Sequence, residues 1–263
     1  MLLEIDGLYG GYGADDIIKG VSCTAGEGEI LCLVGPNGCG KTTLFRLILR
    51  SLKATGGTVR IDGKDTQTLS PKTLANLIAY IPQQHAPVFT YTVLDIVIMG
   101  RANHFSAFEA PKPIDRDAAF AALEKMGIEH LANRTYTSLS GGQRQMIIIA
   151  RAICQSAKIF VMDEPSANLD YTNQQLLMDV VASLSEKGYL VIMSTHNPEQ
   201  PLRISHKVML MHEGRVVAFG KPAEVITSDT LEKIYGIEMD VLTATDRYGY
   251  VRTVCLPVKN GTR

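Results

Sequence analysis

The chain has 263 residues and ordinary hydrophobic and charged contents, which predict a globular protein with one large core or two smaller ones. Its formal net charge of −1 and the lack of a basic patch argue against nonspecific nucleic-acid binding. Its five cysteines are scattered and have no metal-ligand spacing, so they predict a reducing compartment and neither a disulfide framework nor a zinc site.

The N-terminal residues Met1–Asp6 predict a strand rather than a secretion signal. No apolar run approaches the ~20 residues that span a bilayer, so any membrane pathway is expected to lie on other subunits. Further along, residues 29–34 predict a buried strand and residues 43–49 a helix. Between them, the phosphate-binding pattern G-x-x-x-x-G-K-[ST] is matched by Gly35-Pro36-Asn37-Gly38-Cys39-Gly40-Lys41-Thr42.

This stretch predicts nucleotide binding, with contacts that continue to Thr43. Glycines let backbone N–H groups turn toward phosphates, and the start of the helix adds unpaired N–H groups and a positive dipole end. Lys41 is expected to reach the β- and γ-phosphates, and the hydroxyl of Thr42 to ligate Mg²⁺. The alternative is a glycine-rich turn without a ligand, which the strand before it and the helix after it disfavour.

A second strand ends in two carboxylates. The apolar run Lys158–Met162 is followed by Asp163 and Glu164. Asp163 is expected to help hold Mg²⁺, and Glu164 to act as the general base that polarises an attacking water. Taken alone, the pair is equally consistent with an acidic turn after a core strand. The phosphate-binding stretch favours the catalytic interpretation.

A mostly helical section interrupts the alternation of strands and helices. It begins at Thr92–Met99, has a proline-rich break at Ala110–Pro113, and continues from Asp115 to Met126. The sequence therefore predicts an α/β core with a mixed sheet and an inserted helical subdomain at about residues 84–150.

The tail, residues 236–263, differs from the core that precedes it. Residues Met239–Ala244 and Tyr250–Cys255 predict two strands, and Asp246–Gly249 predicts the hairpin turn between them. A β-hairpin extension is therefore expected after a main domain of residues 1–235.

The motif Leu139-Ser140-Gly141-Gly142-Gln143 makes the prediction specific. With it the chain resembles the ATP-binding subunits of ABC transporters over about residues 1–235, and the family's motifs follow in the family's order. Physically, Ser140 is a good helix N-cap, and the two glycines let backbone N–H groups approach an anion. The resemblance implies the P-loop NTPase fold, and it implies that residues 140–143 bind the γ-phosphate of an ATP held by a second copy.

The resemblance also assigns residues on the near side of the nucleotide. Tyr12 corresponds to the aromatic residue that stacks on adenine, with Tyr9 as the alternative. Gln83 corresponds to the Q-loop glutamine, which touches the metal and lies near the permease contact; the adjacent Gln84 is the alternative. His196, after a predicted strand at residues 189–195, corresponds to the switch histidine at the γ-phosphate.

Residues Ser166–Asp170 resemble the D-loop, which links the two nucleotide sites of a dimer. Asp170 is accordingly a candidate nucleotide contact. Asn168 departs modestly from the family pattern, at a position that varies.

The helical section resembles that of metal-chelate importers, the type II systems for ferric siderophores, haem, cobalamin and, in some cases, molybdate or tungstate. The resemblance implies a multi-helix permease, an extracytoplasmic substrate-binding protein and a peripheral location on the cytoplasmic face of the membrane. Arg101 is expected to face the permease. The residues that carry the resemblance are Tyr91–Asp95, Met99–Arg101, His104, Phe108, Pro113, Thr137–Leu139 and Asn173–Gln174.

Two alternatives remain open from the sequence. One is an ABC ATPase that acts on nucleic acid or ribosomes, against which stand the single cassette and the lack of a long coiled-coil insertion. The other is a regulatory nucleotide-binding module without turnover, against which stand Glu164 and His196. The transported substrate stays unnamed, because this kind of subunit does not touch it.

Overall fold

The computed structural model describes residues 1–13, 15–83, 90–104, 109–167 and 169–258. In chain order the strands are β1 Leu3–Tyr12, β2 Asp15–Ala25, β3 Ile30–Val34, β4 Gly56–Ile61, β5 Lys64–Asp65, β6 Ile78–Ile81, β7 Ile159–Met162, β8 Leu190–Thr195, β9 Lys207–His212, β10 Arg215–Gly220, β11 Met239–Thr245 and β12 Val251–Pro257. The α-helices are α1 Lys41–Ile48, α2 Pro71–Leu77, α3 Val93–Ile98, α4 Pro113–Lys125, α5 Gly141–Gln155, α6 Tyr171–Glu186, α7 Glu199–Ile204, α8 Pro222–Val225 and α9 Ser228–Tyr235.

The chain forms two compact units, and the first comprises residues 1–68 and 192–263. It contains an antiparallel sheet with the strand order β2-β1-β4-β5. It also contains β3, which pairs in parallel with β9, and β10, which pairs antiparallel with β9. This confirms the predicted mixed sheet of an α/β fold. All five residues of β3 are buried, as expected of a strand covered on both faces, and β3 leads directly into the phosphate-binding stretch.

The second unit comprises residues 69–191. Its strands β6 and β7 pair in parallel, and its helices α3 and α4 pack on α5. The side-chain amide of Gln155 donates hydrogen bonds to the carbonyls of Ala75 (2.6 Å) and Ile78 (2.9 Å), which ties the end of α5 to the junction of α2 and β6. The narrower bounds predicted for the helical subdomain, residues 84–150, stay a prediction.

The Arg101 side chain is largely buried in an ion pair, and its expected contact with the permease stays a prediction. Its Nε donates to Asp115 Oδ1 at 3.1 Å, and the two side chains are only 16% and 5% exposed. Asp115 is the N3 residue of α4, and its carboxylate also accepts from the backbone N–H of Lys112. Arg101 thus stabilises the start of α4, because a buried carboxylate requires a charged or hydrogen-bonded partner. Met99, two residues earlier, is 40% exposed.

The C-terminal hairpin was predicted correctly. Strands β11 and β12 pair without a register shift from Met239↔Pro257 to Thr245↔Val251, and the N–H of Gly249 donates to the carbonyl of Asp246 across the turn. Near its base, the N–H of Val241 donates to Ser228 Oγ on α9. The hairpin is therefore tied to the first unit by hydrogen bonds as well as by the burial of Met239.

All five cysteines lie in the described part of the chain, and none of them forms a disulfide there. Burial raises the pKa values of the Cys23 and Cys32 thiols to about 12. In the described part of the chain, no helix has both the length and the apolar character that crossing a membrane requires.

Candidate nucleotide-binding site

The phosphate-binding loop folds around its own lysine. Lys41 is the first residue of α1 and is only 6% exposed. Its ammonium group donates hydrogen bonds to the carbonyls of Gly35 (2.7 Å) and Pro36 (3.2 Å). The loop is also braced by a hydrogen bond from the N–H of Gly214 to the carbonyl of Cys39. A positive charge is thus held beside the N-terminus of a helix, which together make a site for an anion.

Two of the loop glycines are required by the geometry. Gly40, the N-cap of α1, has φ 109°, and a Cβ built there would lie 2.9 Å from Ile18 Cδ1. A Cβ on Gly35 would lie 2.3 Å from the carbonyl oxygen of Met211. Side chains at these positions would displace the backbone, whose N–H groups are what such a loop offers to phosphates.

Tyr12 lies at the end of β1, opposite Asp15. Its hydroxyl accepts a hydrogen bond from Arg46 on α1, and the Arg46 guanidinium lies 5.8 Å from the ring centroid. The rival Tyr9 pairs with Lys19 and Gly56 in the sheet, and a Cβ on Gly20 would lie 2.8 Å from its hydroxyl. Tyr12 is thus fixed to the helix that follows the phosphate-binding loop, whereas Tyr9 covers sheet glycines. The role of Arg46 was missed by sequence reasoning, because it carries no motif.

The two carboxylates follow β7, as expected, but they differ in environment. Asp163 is 2% exposed, and its N–H donates to the carbonyl of Ile81 at 2.8 Å. Glu164 has φ 44°, a left-handed conformation that is uncommon for a residue other than glycine. Its Oε2 accepts a hydrogen bond of 3.1 Å from the side-chain amide of Gln83. The structure therefore brings together Gln83 and Glu164, whereas the alternative Gln84 lies outside the described residues.

The signature motif forms a capping box at the start of α5. The N–H of Gln143 donates to Ser140 Oγ, and the N–H of Ser140 donates to Gln143 Oε1. This confirms Ser140 as the N-cap. A Cβ built on Gly141 would meet no described heavy atom within 4 Å, and one on Gly142 would make only ordinary contacts with Asn173 and Leu169. Neither glycine has a positive φ.

Asp170 has a structural task in this chain. It is the N-cap of α6, and its carboxylate accepts from the backbone N–H of Asn173 at 2.8 Å and from that residue's side-chain amide at 3.1 Å. The amide of Gln174 donates to the carbonyls of Ser166 and Leu169, which braces the predicted D-loop. Asn168 lies outside the described residues, as do Phe108 and the side chain of His104.

His196 directly follows β8 and is exposed. Its backbone carbonyl accepts a hydrogen bond of 2.8 Å from the hydroxyl of Tyr235, the last residue of α9. Sequence reasoning missed Tyr235, since a hydrogen bond to a main-chain atom 39 residues away leaves no pattern in the sequence.

The donors expected to hold Mg²⁺ suit a hard cation. The hydroxyl of Thr42, the carboxylate of Asp163 and the side-chain oxygen of Gln83 are all oxygen ligands, which Mg²⁺ prefers. Within the described residues, no cluster of three or more His, Cys, Asp or Glu side chains has the geometry to enclose a metal. Few protein ligands, completed by substrate phosphates, are the usual arrangement for Mg²⁺.

A phosphate-binding loop between a buried strand and a helix, and an aspartate after another parallel strand, define a P-loop nucleotide-binding protein. The family model described as "ABC transporter" matches residues 18–167. This chain belongs to the ABC transporter family, as an ATP-binding subunit.

Individual relatives agree with this assignment. The molybdate import ATP-binding protein MolC of Haemophilus influenzae is 34% identical, with 90% of this chain and 89% of the relative covered. The ferric enterobactin transport ATP-binding protein FepC of Escherichia coli is 33% identical, with 88% and 86% covered. A solved structure described as an inward-facing, metal-chelate type ABC transporter is 32% identical, covers 98% of both chains and has a TM-score of 0.88. The predicted resemblance is confirmed.

Proposed function

We propose that this chain is the ATP-hydrolysing, energy-coupling subunit of a membrane importer for a metal chelate or an oxyanion. The observation that carries the hydrolytic role is Glu164, which is held at φ 44° and hydrogen-bonded by Gln83. Strained backbone of this kind costs of order 1–3 kcal/mol and is concentrated at functional sites. A regulatory module without turnover would have no use for this arrangement.

Each candidate residue has a defined task in hydrolysis. Lys41 and the N–H groups of its loop bind the β- and γ-phosphates, with the adenine stacked on Tyr12. Glu164 takes the proton of the attacking water, while the amide of Gln83 orients its carboxylate. His196 stabilises the γ-phosphate as charge develops on it. Mg²⁺, held by Thr42, Asp163 and Gln83, supplies charge neutralisation when it is bound.

The second half of each site is proposed to come from another copy of the chain. Gly141 has neither a positive φ nor a described neighbour within 4 Å of an added Cβ, so the fold of this copy does not require glycine there. A glycine at the start of a helix suits an anion that approaches the backbone from outside. Residues Ser140–Gln143 are therefore assigned to the γ-phosphate of an ATP bound to the partner. Closure of such a dimer on ATP is a ligand-biased equilibrium between two states.

The permease is proposed to dock on a groove in the second unit. This groove encloses about 550 Å³, and two of its lining residues, Tyr91 and Met99, are each 40% exposed. Its lining residues are Tyr91, Asp95, Ile98, Met99, Ala102, Pro111 and Arg116. Exposed aromatic and methionine side chains are typical of interface anchors. Docking there would hold the subunit at the cytoplasmic face of the membrane, with an extracytoplasmic binding protein supplying the substrate.

The substrate class rests on relatives whose names specify molybdate import and ferric enterobactin transport, and on a structural neighbour of the metal-chelate type. Vesicles that contain the chain with its permease and binding protein would test the class. We expect ATP-dependent uptake of one member of a panel of ferric siderophores, haem, cobalamin and molybdate. Uptake of none of them, with ATP turnover intact, would contradict the substrate class alone.

Hydrolysis is tested with Glu164→Gln, which keeps the size of the side chain and removes the base. We expect ATP binding to persist and turnover in the assembled transporter to fall by about 10²–10⁴-fold, the usual contribution of a general base. The matched control is Glu186→Gln, at the end of α6 and exposed, which should keep wild-type turnover. Normal turnover of Glu164→Gln would refute the catalytic role.

A further inference from the structure

The loop that carries His196 is exposed, so burial does not fix it. Hydrogen bonds among residues 195–200 shape it. The N–H of Asn197 donates to Thr195 Oγ1 (3.1 Å), and the hydroxyl of Thr195 donates to Gln200 Oε1 (2.8 Å). The N–H of Glu199, where α7 begins, donates to Asn197 Oδ1 (2.9 Å). These bonds shape the turn after β8, and none of them involves the peptide carbonyl of His196.

That carbonyl is held by Tyr235, whose hydroxyl donates to it at 2.8 Å. Tyr235 sits at a well-defined point because both ends of α9 are fixed. The helix begins with a capping box formed by Thr227 and Thr230. It ends at Gly236 in the left-handed conformation, whose N–H donates to the carbonyl of Glu232 at 2.8 Å.

The remainder of α9 and the hairpin keep this donor in place. Leu231 and Ile234 of α9 are 0% and 2% exposed, so the helix is anchored in the core of the first unit. The N–H of Cys255 on β12 donates to Glu199 Oε1 at 3.0 Å, which connects the hairpin to the start of α7. The C-terminal segment, residues 228–258, therefore meets the His196 loop at two points, His196 itself and Glu199.

We propose that Tyr235 is a positioning residue for His196, and that the C-terminal segment holds the loop that carries His196 in its catalytically active conformation. The inference rests on the proposed function, since it assigns a helper to a residue given a task there. An imidazole that must meet a developing charge needs its backbone fixed, because catalytic stabilisation depends on preorganisation. The hydrogen bond from Tyr235 to the main-chain carbonyl of His196 fixes that backbone, whatever the protonation state of the imidazole.

The test is Tyr235→Phe, which removes only the hydroxyl. Loss of one hydrogen bond of about 1 kcal/mol corresponds to about a fivefold fall in kcat. We expect that fall in the transporter assembled in vesicles, with KM for ATP unchanged. Because the same hydrogen bond also stabilises the folded subunit, its melting temperature should fall by no more than about 4 °C. The matched control is Tyr248→Phe, which alters a tyrosine of the hairpin turn that is 78% exposed and should leave all three quantities unchanged.

The outcomes separate this inference from the proposed function. An unchanged kcat in Tyr235→Phe would overturn the inference. So would a parallel rise in KM, or a fall in the melting temperature well beyond about 4 °C, because either would show a merely structural role. His196→Ala is measured beside it and should lose turnover. If His196→Ala hydrolysed ATP at the normal rate, the catalytic role proposed for His196 would be refuted, and the inference about Tyr235 with it. If His196→Ala were inactive and Tyr235→Phe fully active, the inference alone would fail.

Discussion

Replacing Gly141 by alanine separates the stability of the chain from its activity. The added methyl group meets no described heavy atom within 4 Å, and Gly141 is the first residue of α5 without a positive φ. Alanine is preferred to glycine inside a helix by up to about 1 kcal/mol. Since the first turn realises only part of this preference, we expect Gly141→Ala to unfold at the wild-type temperature or up to about 4 °C above it.

The effect on turnover should be opposite and much larger. If the N–H groups at the start of α5 bind the γ-phosphate of a partner's ATP, the methyl group occupies the space through which that phosphate approaches. Loss of one preorganised donor to developing charge typically lowers kcat by about 10²–10³-fold. We therefore expect a turnover defect of that size, while each isolated subunit binds ATP normally through its own phosphate-binding loop.

The assay is ATP hydrolysis by the assembled transporter, with thermal unfolding and nucleotide titration of the isolated subunit. Gly26→Ala is the matched control, because an added Cβ there would make only ordinary contacts with Glu29, at 3.6 Å or more, and Gly26 lies outside the nucleotide motifs. Wild-type turnover by Gly141→Ala would refute the two-copy site. A substantial fall in its melting temperature would refute the argument that the fold does not need this glycine.

Two further predictions concern docking and pH. Met99→Glu should weaken assembly with the permease about tenfold or more, as expected for an anchor residue, and leave ATP affinity unchanged. The control is Ile114→Glu, at a residue that is 67% exposed and outside the groove. If both variants assembled with the permease equally well, the docking surface would be contradicted. Burial opposes ionisation of Glu29, but hydrogen bonds from Lys207 and a backbone N–H outweigh it and hold the pKa of this carboxyl below its usual value. Glu29→Gln should therefore lower the unfolding free energy by at most about 1 kcal/mol near neutral pH, because the ion pair of Glu29 with Lys207 is partly exposed. The difference in unfolding free energy between variant and wild type should vanish as the pH falls through the lowered pKa of Glu29. A difference that did not depend on pH would contradict this.

Much of the fold could be predicted from local patterns. Runs of buried residues give β3, β7 and β8 to within a residue of their predicted bounds, because central strands are apolar on both faces. Bounds that depend on pairing could not be found in this way. The predicted strand Met1–Asp6 continues in the structure to Tyr12, across glycines that weaken strands locally. Its partners β2 and β4 supply the hydrogen bonds that keep it extended.

The tasks of side chains also divide into those set by neighbours in sequence and those set by distant partners. Residues whose task is set by neighbours in sequence were predictable, as with Ser140, whose capping box is complete within four residues. The ion pair of Arg101 was not predictable, because its partner Asp115 lies beyond a proline-rich break. The family resemblance of the segment indicated a contact with the permease instead. The task of Tyr235 was not predictable either, because its hydrogen bond ends on a peptide carbonyl, and every residue type has one.

Glu164 shows why the site itself remained recognisable from the sequence. A sequence optimised only for folding would place glycine at φ 44°, because glycine adopts that conformation without a steric cost. The chain has a glutamate there, held by Gln83, directly after a buried aspartate that a core strand positions. Departures from local preference are expected where chemistry is the constraint. Glu164 is one of five described non-glycine residues with a positive φ, and it is the one of them to which the proposed reaction assigns a catalytic task.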